Sequence, residues 1–224
     1  MHRRSAVVSL VVLTACATLP PTADPYSDAP EGHVAAFASF TNVTNYEEAL
    51  RAWHSAEDVI AWIGARFEYD SARALLLSET QRTQSGRLPV YQPAAFFTVP
   101  SGVCVDLSRF AVETLQAIEP NLKPSYLMIE FAPVSIAGNT LRRHWMAAFE
   151  RDGGRYFFAD SKRPGYLAGP YESTRAFIEE YAQYRGREVV TFREMGSFER
   201  EAHRLATKKV RKELPGLFNK DRHR

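Results

Sequence analysis

The chain has only two cysteines, Cys16 and Cys104, among its 224 residues. That scarcity excludes a disulfide-stapled scaffold. With no Cys-x-x-Cys pair and no clustered histidines, it also argues against a structural metal centre or a dithiol redox site. An excess of one charge is missing too. There are 28 basic and 26 acidic residues, a formal net charge of +2, so bulk charge gives a nucleic-acid role no support. The N-terminal apolar stretch, Ala6 to Leu13 interrupted by Ser9, is too short to span a bilayer as a helix. No internal repeat is visible.

What the N-terminus does contain is an address. Arg3 and Arg4 precede the apolar stretch and small residues follow it, the layout of an export signal over residues 1–15. The run Leu13-Thr14-Ala15-Cys16 resembles the lipobox of bacterial lipoproteins. The resemblance implies cleavage before Cys16, lipidation of its thiol and attachment to a membrane of the cell envelope. Ala17 stands where an acidic residue would resemble an inner-membrane retention signal, which leans the expectation toward the outer membrane, facing the periplasm. The alternative is an ordinary signal peptide with an incidental cysteine. Losing Arg3 and Arg4 brings the 28 basic residues level with the 26 acidic ones, so the mature chain is neutral. Residues 16–32 hold Pro20, Pro21, Pro25 and Pro30 among small and polar residues. Such a composition builds no core and suits a semi-extended tether. Residues 33–224 are long enough for one domain with a sizeable core.

Along that domain, Val59, Ile60, Trp62, Ile63 and Phe67 repeat at helical spacing, with Ser55 as N-cap and Asp58 three residues on. They predict a helix over 55–67, and a second follows at 71–80. Residues 81–101, punctuated by Pro89, Pro93 and Pro100, read as a long loop that packs Phe96 and Phe97. Val103, Leu107, Phe110, Ala111, Thr114, Leu115 and Ile118 form one apolar stripe, a helix over 102–118 that Ser101 can cap and Pro120 ends. Asp106 falls in its first turn, where negative charge is favoured. Trp53, Trp62, Phe96, Phe97 and Tyr126 are expected in the core. Strand-like segments follow at 126–131, 143–150, 155–160 and 188–192, with turn residues Asp152-Gly153-Gly154 between the second and third. Helices return at 173–184 and 197–214. Helices first, then an antiparallel meander, make the fold class α+β.

With Cys16 lipidated, Cys104 has no intramolecular partner. A lone thiol in an exported chain calls for burial or chemistry. At a helix start, unpaired N–H groups and the helix dipole favour the thiolate. An imidazole can take the thiol proton and return it to a leaving group, and a carboxylate can fix that imidazole. His144 and Asp160 supply both types, in order, on neighbouring predicted strands. A three-residue loop at Arg151-Asp152-Gly153, or a five-residue loop centred on Asp152, would set them directly opposite; a four-residue loop would put them on opposite faces.

Gly102-x-Cys104-x-Asp106 opening a helix, His144-Trp145 opening a strand and Tyr156-Phe157-Phe158-Ala159-Asp160 closing the next resemble the transglutaminase-like domain of the papain-type cysteine superfamily. The upstream Ile60-Ala61-Trp62 and Phe67-Glu68-Tyr69-Asp70 resemble the lead-in of such domains. The resemblance covers about residues 50–165. It implies a central helix bearing the cysteine packed on an antiparallel sheet. It also implies a Cys104–His144–Asp160 triad acting on the amide bonds of a peptide or protein substrate, by hydrolysis or transfer to an amine, with no cofactor. The chain departs from the family's pattern at Met146, two residues after the histidine, and at Ser161, after the aspartate. Tyr91, Gln92 and Thr98 are the side chains available to hold an oxyanion beside the Cys104 amide.

Two alternatives stay open. A non-catalytic binding or scaffold domain can keep this fold. The C-terminal helix over 197–214 is an apolar stripe crowded by Arg200, Arg204, Lys208, Lys209, Arg211 and Lys212. It is either docked on the domain with a solvated face or in contact with anionic lipid.

Overall fold

The computed structural model describes residues 21–32, 40–84 and 88–196. The expected signal segment, Cys16 and the basic helix expected at 197–214 lie outside the described residues.

The first half is helical. Helix α1 (Tyr46–Ala52) is capped by the Asn45 side chain, which accepts from the Glu48 N–H. Helix α2 (Ala56–Arg66) starts at Ser55, whose hydroxyl accepts from the Asp58 N–H while the Asp58 carboxylate accepts from the Ser55 N–H. That reciprocal pair is the predicted capping box. Strand β1 (Glu68–Tyr69) follows. The single helix expected at 71–80 is two short ones, α3 (Ser71–Leu76) and α4 (Glu79–Gln84). Inside the expected loop lies helix α5 (Pro93–Thr98), with Pro93 in its first turn. Proline lacks the N–H that a helix start leaves unused, so it opens this helix rather than preventing it. Burial of Phe96 and Phe97 then holds it.

Strand β2 (Ser101–Gly102) pairs in parallel with β1, Tyr69 beside Gly102. Helix α6 (Cys104–Ile118) begins two residues later. Its N-cap is Val103, not Ser101, because Ser101 is already committed to the strand.

The second half is a five-stranded antiparallel sheet. Its strands are β3 (Ser125–Ile136), β4 (Asn139–Arg151), β5 (Gly154–Phe158), β6 (Ala168–Tyr171) and, after helix α7 (Thr174–Arg185), β7 (Val189–Met195). The order across the sheet is β6-β5-β4-β3-β7. Strand β6 was not expected from the sequence: it is four residues long and contains a proline.

Alternation along the strands divides the core in two. Tyr126, Ala147, Phe149 and Phe158 face the helical half and meet α2, α5 and α6. There Trp62 stacks on Phe97 at 5.0 Å between ring centroids and lies 4.6 Å from Phe110. All five aromatics expected in the core are buried. Each such ring contributes about 1.5–3 kcal/mol through burial. Leu127, Ile129, Met146, Ala148 and Phe157 face the other way and meet α7 through Phe177, Ile178 and Tyr181. The sheet is thus covered on both faces, and the start of α6 is set against β4.

Candidate active site

Cys104 is the first residue of α6 and lines a cavity of about 650 Å³. The amides of a helix's first turn have no intrahelical acceptor, so a helix start favours negative charge beside it. A buried carboxylate holds this helix start in place. Asp106 Oδ2 accepts from the Val103 N–H at 3.1 Å and from Arg73 Nε at 2.7 Å. Its Oδ1 accepts from Arg73 Nη2 at 2.8 Å and from the Tyr91 N–H at 2.9 Å. Asp106 is fully buried and Arg73 nearly so. Arg73 also donates to the Pro89 carbonyl and lies over the Tyr91 ring. The expected helix-start residue therefore also ties the segment at 89–91 to the thiol's own turn. Gly102 permits the approach: a Cβ there would lie 3.1 Å from both Asp106 and Phe96.

His144 lies on β4 on the face shared with Met146 and Ala148, completely buried, its ring stacked on Tyr181. Its Nε2 is 3.1 Å from Asp160 Oδ1. Asp160 is anchored in turn. Oδ1 also accepts from the Lys162 N–H at 2.9 Å, and Oδ2 accepts from Arg163 Nε at 3.2 Å. A ring nitrogen of His144 and Cys104 Sγ lie within 4.8 Å of each other. Nε2 is taken by Asp160, so Nδ1 is the nitrogen left to exchange a proton with the thiol.

The three residues picked from the sequence are thus brought together, but not by the expected hairpin register. The β4–β5 loop has two residues, Asp152-Gly153, both at positive φ (52° and 78°), and Arg151 pairs with Gly154. That register would set Asp160 opposite Trp145, on the wrong face. The ladder stops at Ala147↔Phe158 instead, and Ala159 takes φ 56°. That left-handed residue turns the chain and swings Asp160 onto His144. Of the expected oxyanion side chains, Gln92 accepts from Arg109, Thr98 donates to the Ala94 carbonyl and Tyr91 sits under Arg73. Tyr69, by contrast, lines the Cys104 cavity. Its phenol is pushed up by burial, with the charges of Asp28 and Cys104 adding to the effect.

A fourth member comes from the expected tether. Asp28 Oδ2 lies 3.3 Å from His144 Nδ1, within reach of its charge but not aligned as a hydrogen bond. Asp28 Oδ1 accepts from Arg185 Nη2 at 2.7 Å. Residues 21–32 are therefore docked on the domain. The proline-rich composition carries no sign of it, because the groups that hold them lie about 130–160 residues downstream.

The charges couple strongly. Burial works against the imidazolium, yet His144 is held well above the ordinary histidine range by the stacked Tyr181 and by Asp28 and Asp160, which each lay a carboxylate against a ring nitrogen. Burial also works against both carboxylates. His144 and Arg185 nevertheless keep Asp28 far below the ordinary range, and His144, Arg163 and Arg185 do the same for Asp160. Asp28, Cys104 and His144 form the one group of metal-type donors among the described residues. A cation there would have to displace the imidazole proton and sit beside the Arg185 guanidinium, so the arrangement favours proton transfer over metal binding.

Residues 39–189, which include Cys104, His144 and Asp160, match the family model of the transglutaminase-like domain. Among solved structures, calcium-bound LapG of Legionella pneumophila aligns at 14% identity over 66% of this chain and 81% of its own, with a TM-score of 0.28. No curated protein matches.

Proposed function

The chain belongs to the transglutaminase-like domain family, and on that premise we propose that it cleaves or exchanges amide bonds through a thioester on Cys104. The supporting observation is geometric: the Cys104 thiol stands at a helix start within 4.8 Å of a His144 ring nitrogen, and Asp160 holds that ring by Nε2. The thiolate of Cys104, its proton held on His144 Nδ1, attacks the carbonyl carbon of the scissile amide. The carbonyl oxygen gains negative charge beside the first-turn amides of α6. The C–N bond then breaks, His144 returns the proton to the departing amine, and the acyl group remains as a thioester. His144 next takes a proton from water, the hydroxide oxygen adds to the thioester, and the C–S bond breaks to release acid and thiol. An amine in place of water gives transamidation. Hydrolysis is the simpler course, since water is abundant and nothing among the described residues marks an amine subsite.

The proposal extends to location. The lipobox-like Leu13-Thr14-Ala15-Cys16 supports a lipid anchor on Cys16 in the cell envelope, in the outer membrane facing the periplasm, with envelope peptides or proteins as substrates. Metabolic labelling with an alkyne-tagged fatty acid, lost in Cys16→Ala, tests the anchor.

The chemistry is tested by alkylation of Cys104 with iodoacetamide across pH. A paired thiol reacts faster at neutral pH than a free cysteine and loses that gain in His144→Ala. A rate that follows an ordinary thiol, unmoved by His144→Ala, overturns the thioester mechanism and leaves a binding domain.

A further inference from the structure

Residues 22–31 do not merely lie near the site; they are held by it along their length. The Thr22 N–H donates to the Tyr184 carbonyl at 2.8 Å. Lys162 Nζ donates to the Asp24 carbonyl at 2.8 Å and pairs with Glu31 at 3.0 Å. Ser161 Oγ donates to the Asp28 carbonyl at 3.0 Å. Arg185 Nη2 reaches the carbonyls of Pro25 and Ser27, each at 3.3 Å, besides the Asp28 carboxylate. Asp24, Tyr26, Ser27 and Asp28 line the same cavity as Cys104.

The receiving groups are unusual for a surface groove. Lys162 and Arg185 are 1% and 0% exposed. The charged head of Lys162 finds its partners in residues 24 and 31. Among the described residues, that of Arg185 finds its only carboxylate within hydrogen-bond distance in Asp28. Two buried cations without an acidic chain across them would be desolvated and poorly compensated. A groove built this way selects an extended backbone, through its carbonyls, and carboxylates at set positions along it. At the same time the Asp28 carboxylate stands at His144 Nδ1, where a thiolate has to stand for catalysis. Two anions cannot share one imidazolium without raising the cost of forming the second. The resident chain is thus bound in a manner that opposes reaction.

We infer that the groove formed by Lys162, Arg185 and His144 is a recognition site for an extended acidic polypeptide, now filled by the chain's own residues 22–31. Substrate displaces that segment, keeps its contacts to Lys162 and Arg185, and brings an amide rather than a carboxylate to His144. The fate of the bound amide rests on the thioester mechanism, but binding in the groove is separable from it.

The test uses the full chain and two probes. Alkylation of Cys104 by iodoacetamide is expected to run about tenfold faster in Asp28→Ala than in the wild type, and the gain is expected to vanish when His144→Ala is added. A synthetic peptide of residues 22–31, added in trans, restores the slow rate. The same peptide with its two aspartates and its glutamate replaced by the corresponding amides does not. Fluorescence anisotropy of the labelled acidic peptide on Asp28→Ala gives saturable, salt-sensitive binding. Because Asp28→Ala uncovers the buried Arg185, Glu31→Gln serves as a milder variant, weakening the pair with Lys162 and the contacts of Glu31 with the Thr22 hydroxyl and the Asp24 N–H, with about a threefold gain expected. If neither variant changes the rate and the acidic peptide neither binds nor protects, the groove assignment is overturned, even where Cys104 is reactive and the thioester mechanism stands. If the peptide binds but Cys104 behaves as an ordinary thiol in every variant, the groove stands and the thioester mechanism falls.

Discussion

His144 Nε2 and Asp160 Oδ1 meet at 3.1 Å although no rung of the β4–β5 ladder pairs the two residues. The contact depends on the ladder ending at Phe158 and on Ala159 turning left-handed at φ 56°. The carboxylate reaches the imidazole from a turn, where Lys162 and Arg163 fix it.

The turn at Ala159 is therefore testable apart from the chemistry. Ala159→Gly removes the Cβ that makes a left-handed conformation costly, so stability is expected to hold or rise by up to about 1 kcal/mol. Ala159→Val adds a branched side chain at a buried, left-handed position. It is expected to lower stability by roughly 2 kcal/mol or more and to slow Cys104 alkylation, because Asp160 is displaced. Urea midpoints and alkylation rates on the same preparations check both; a valine variant as stable and as reactive as the wild type would rule out this account of the turn.

Asp160→Asn keeps the shape of the contact but removes the charge that orients and supports the imidazolium. A loss on the order of 100- to 10,000-fold in turnover is expected, with the fold retained. Once an amide substrate is in hand, kcat measured alongside circular dichroism decides it. Undiminished turnover would remove Asp160 from the mechanism.

Asp106 is expected to matter through position. Asp106→Ala strands Arg73 and leaves the amides of Val103 and Tyr91 without their acceptor. A buried pair broken on one side costs about 3–5 kcal/mol, visible as a lower denaturation midpoint. An unchanged midpoint would contradict the role given to this carboxylate. The paired change Arg73→Met with Asp106→Leu is expected to recover part of the stability but not the alkylation rate, since nothing then pins the α6 start to the segment at 89–91.

The charge cluster sets a pH window for folding. Asp28 and Asp160 are depressed from an ordinary value of 3.8, so their contribution is full above that value and is lost as pH falls through the folded values. His144 is raised from 6.5, so its contribution is full below that value and is lost as pH rises through the folded one. Stability is expected to be greatest between about pH 4 and 6.5 and to decline on both sides. Urea midpoints across pH measure this, and His144→Ala is expected to flatten the alkaline side. An alkaline decline of equal slope in that variant would place its origin elsewhere.

Much of the molecule was legible in the linear chain because it is decided locally. The α2 capping box, the apolar stripe of α6 and the alternation in β3 and β4 follow from side-chain periods of 3.6 and 2. The types and order of Cys104, His144 and Asp160 were also visible there. Where the linear pattern misled, long-range contacts decided. Helix α5 exists because Phe96 and Phe97 have a core to enter, and Val103 rather than Ser101 caps α6 because β2 pairs with β1.

The sequence alone determined an α+β chain with a thiol at a helix start, a histidine on one strand and an aspartate at the end of the next, and a proline-rich segment ahead of the domain. Only the tertiary structure decided that Asp160 comes to His144 from a turn beyond the ladder, and that the proline-rich segment lies in the site with Asp28 on the other ring nitrogen. The physical reason is range. Caps and stripes are set by neighbours a few residues away, whereas two buried cations and an imidazole placed by separate elements attract a carboxylate wherever in the chain it lies.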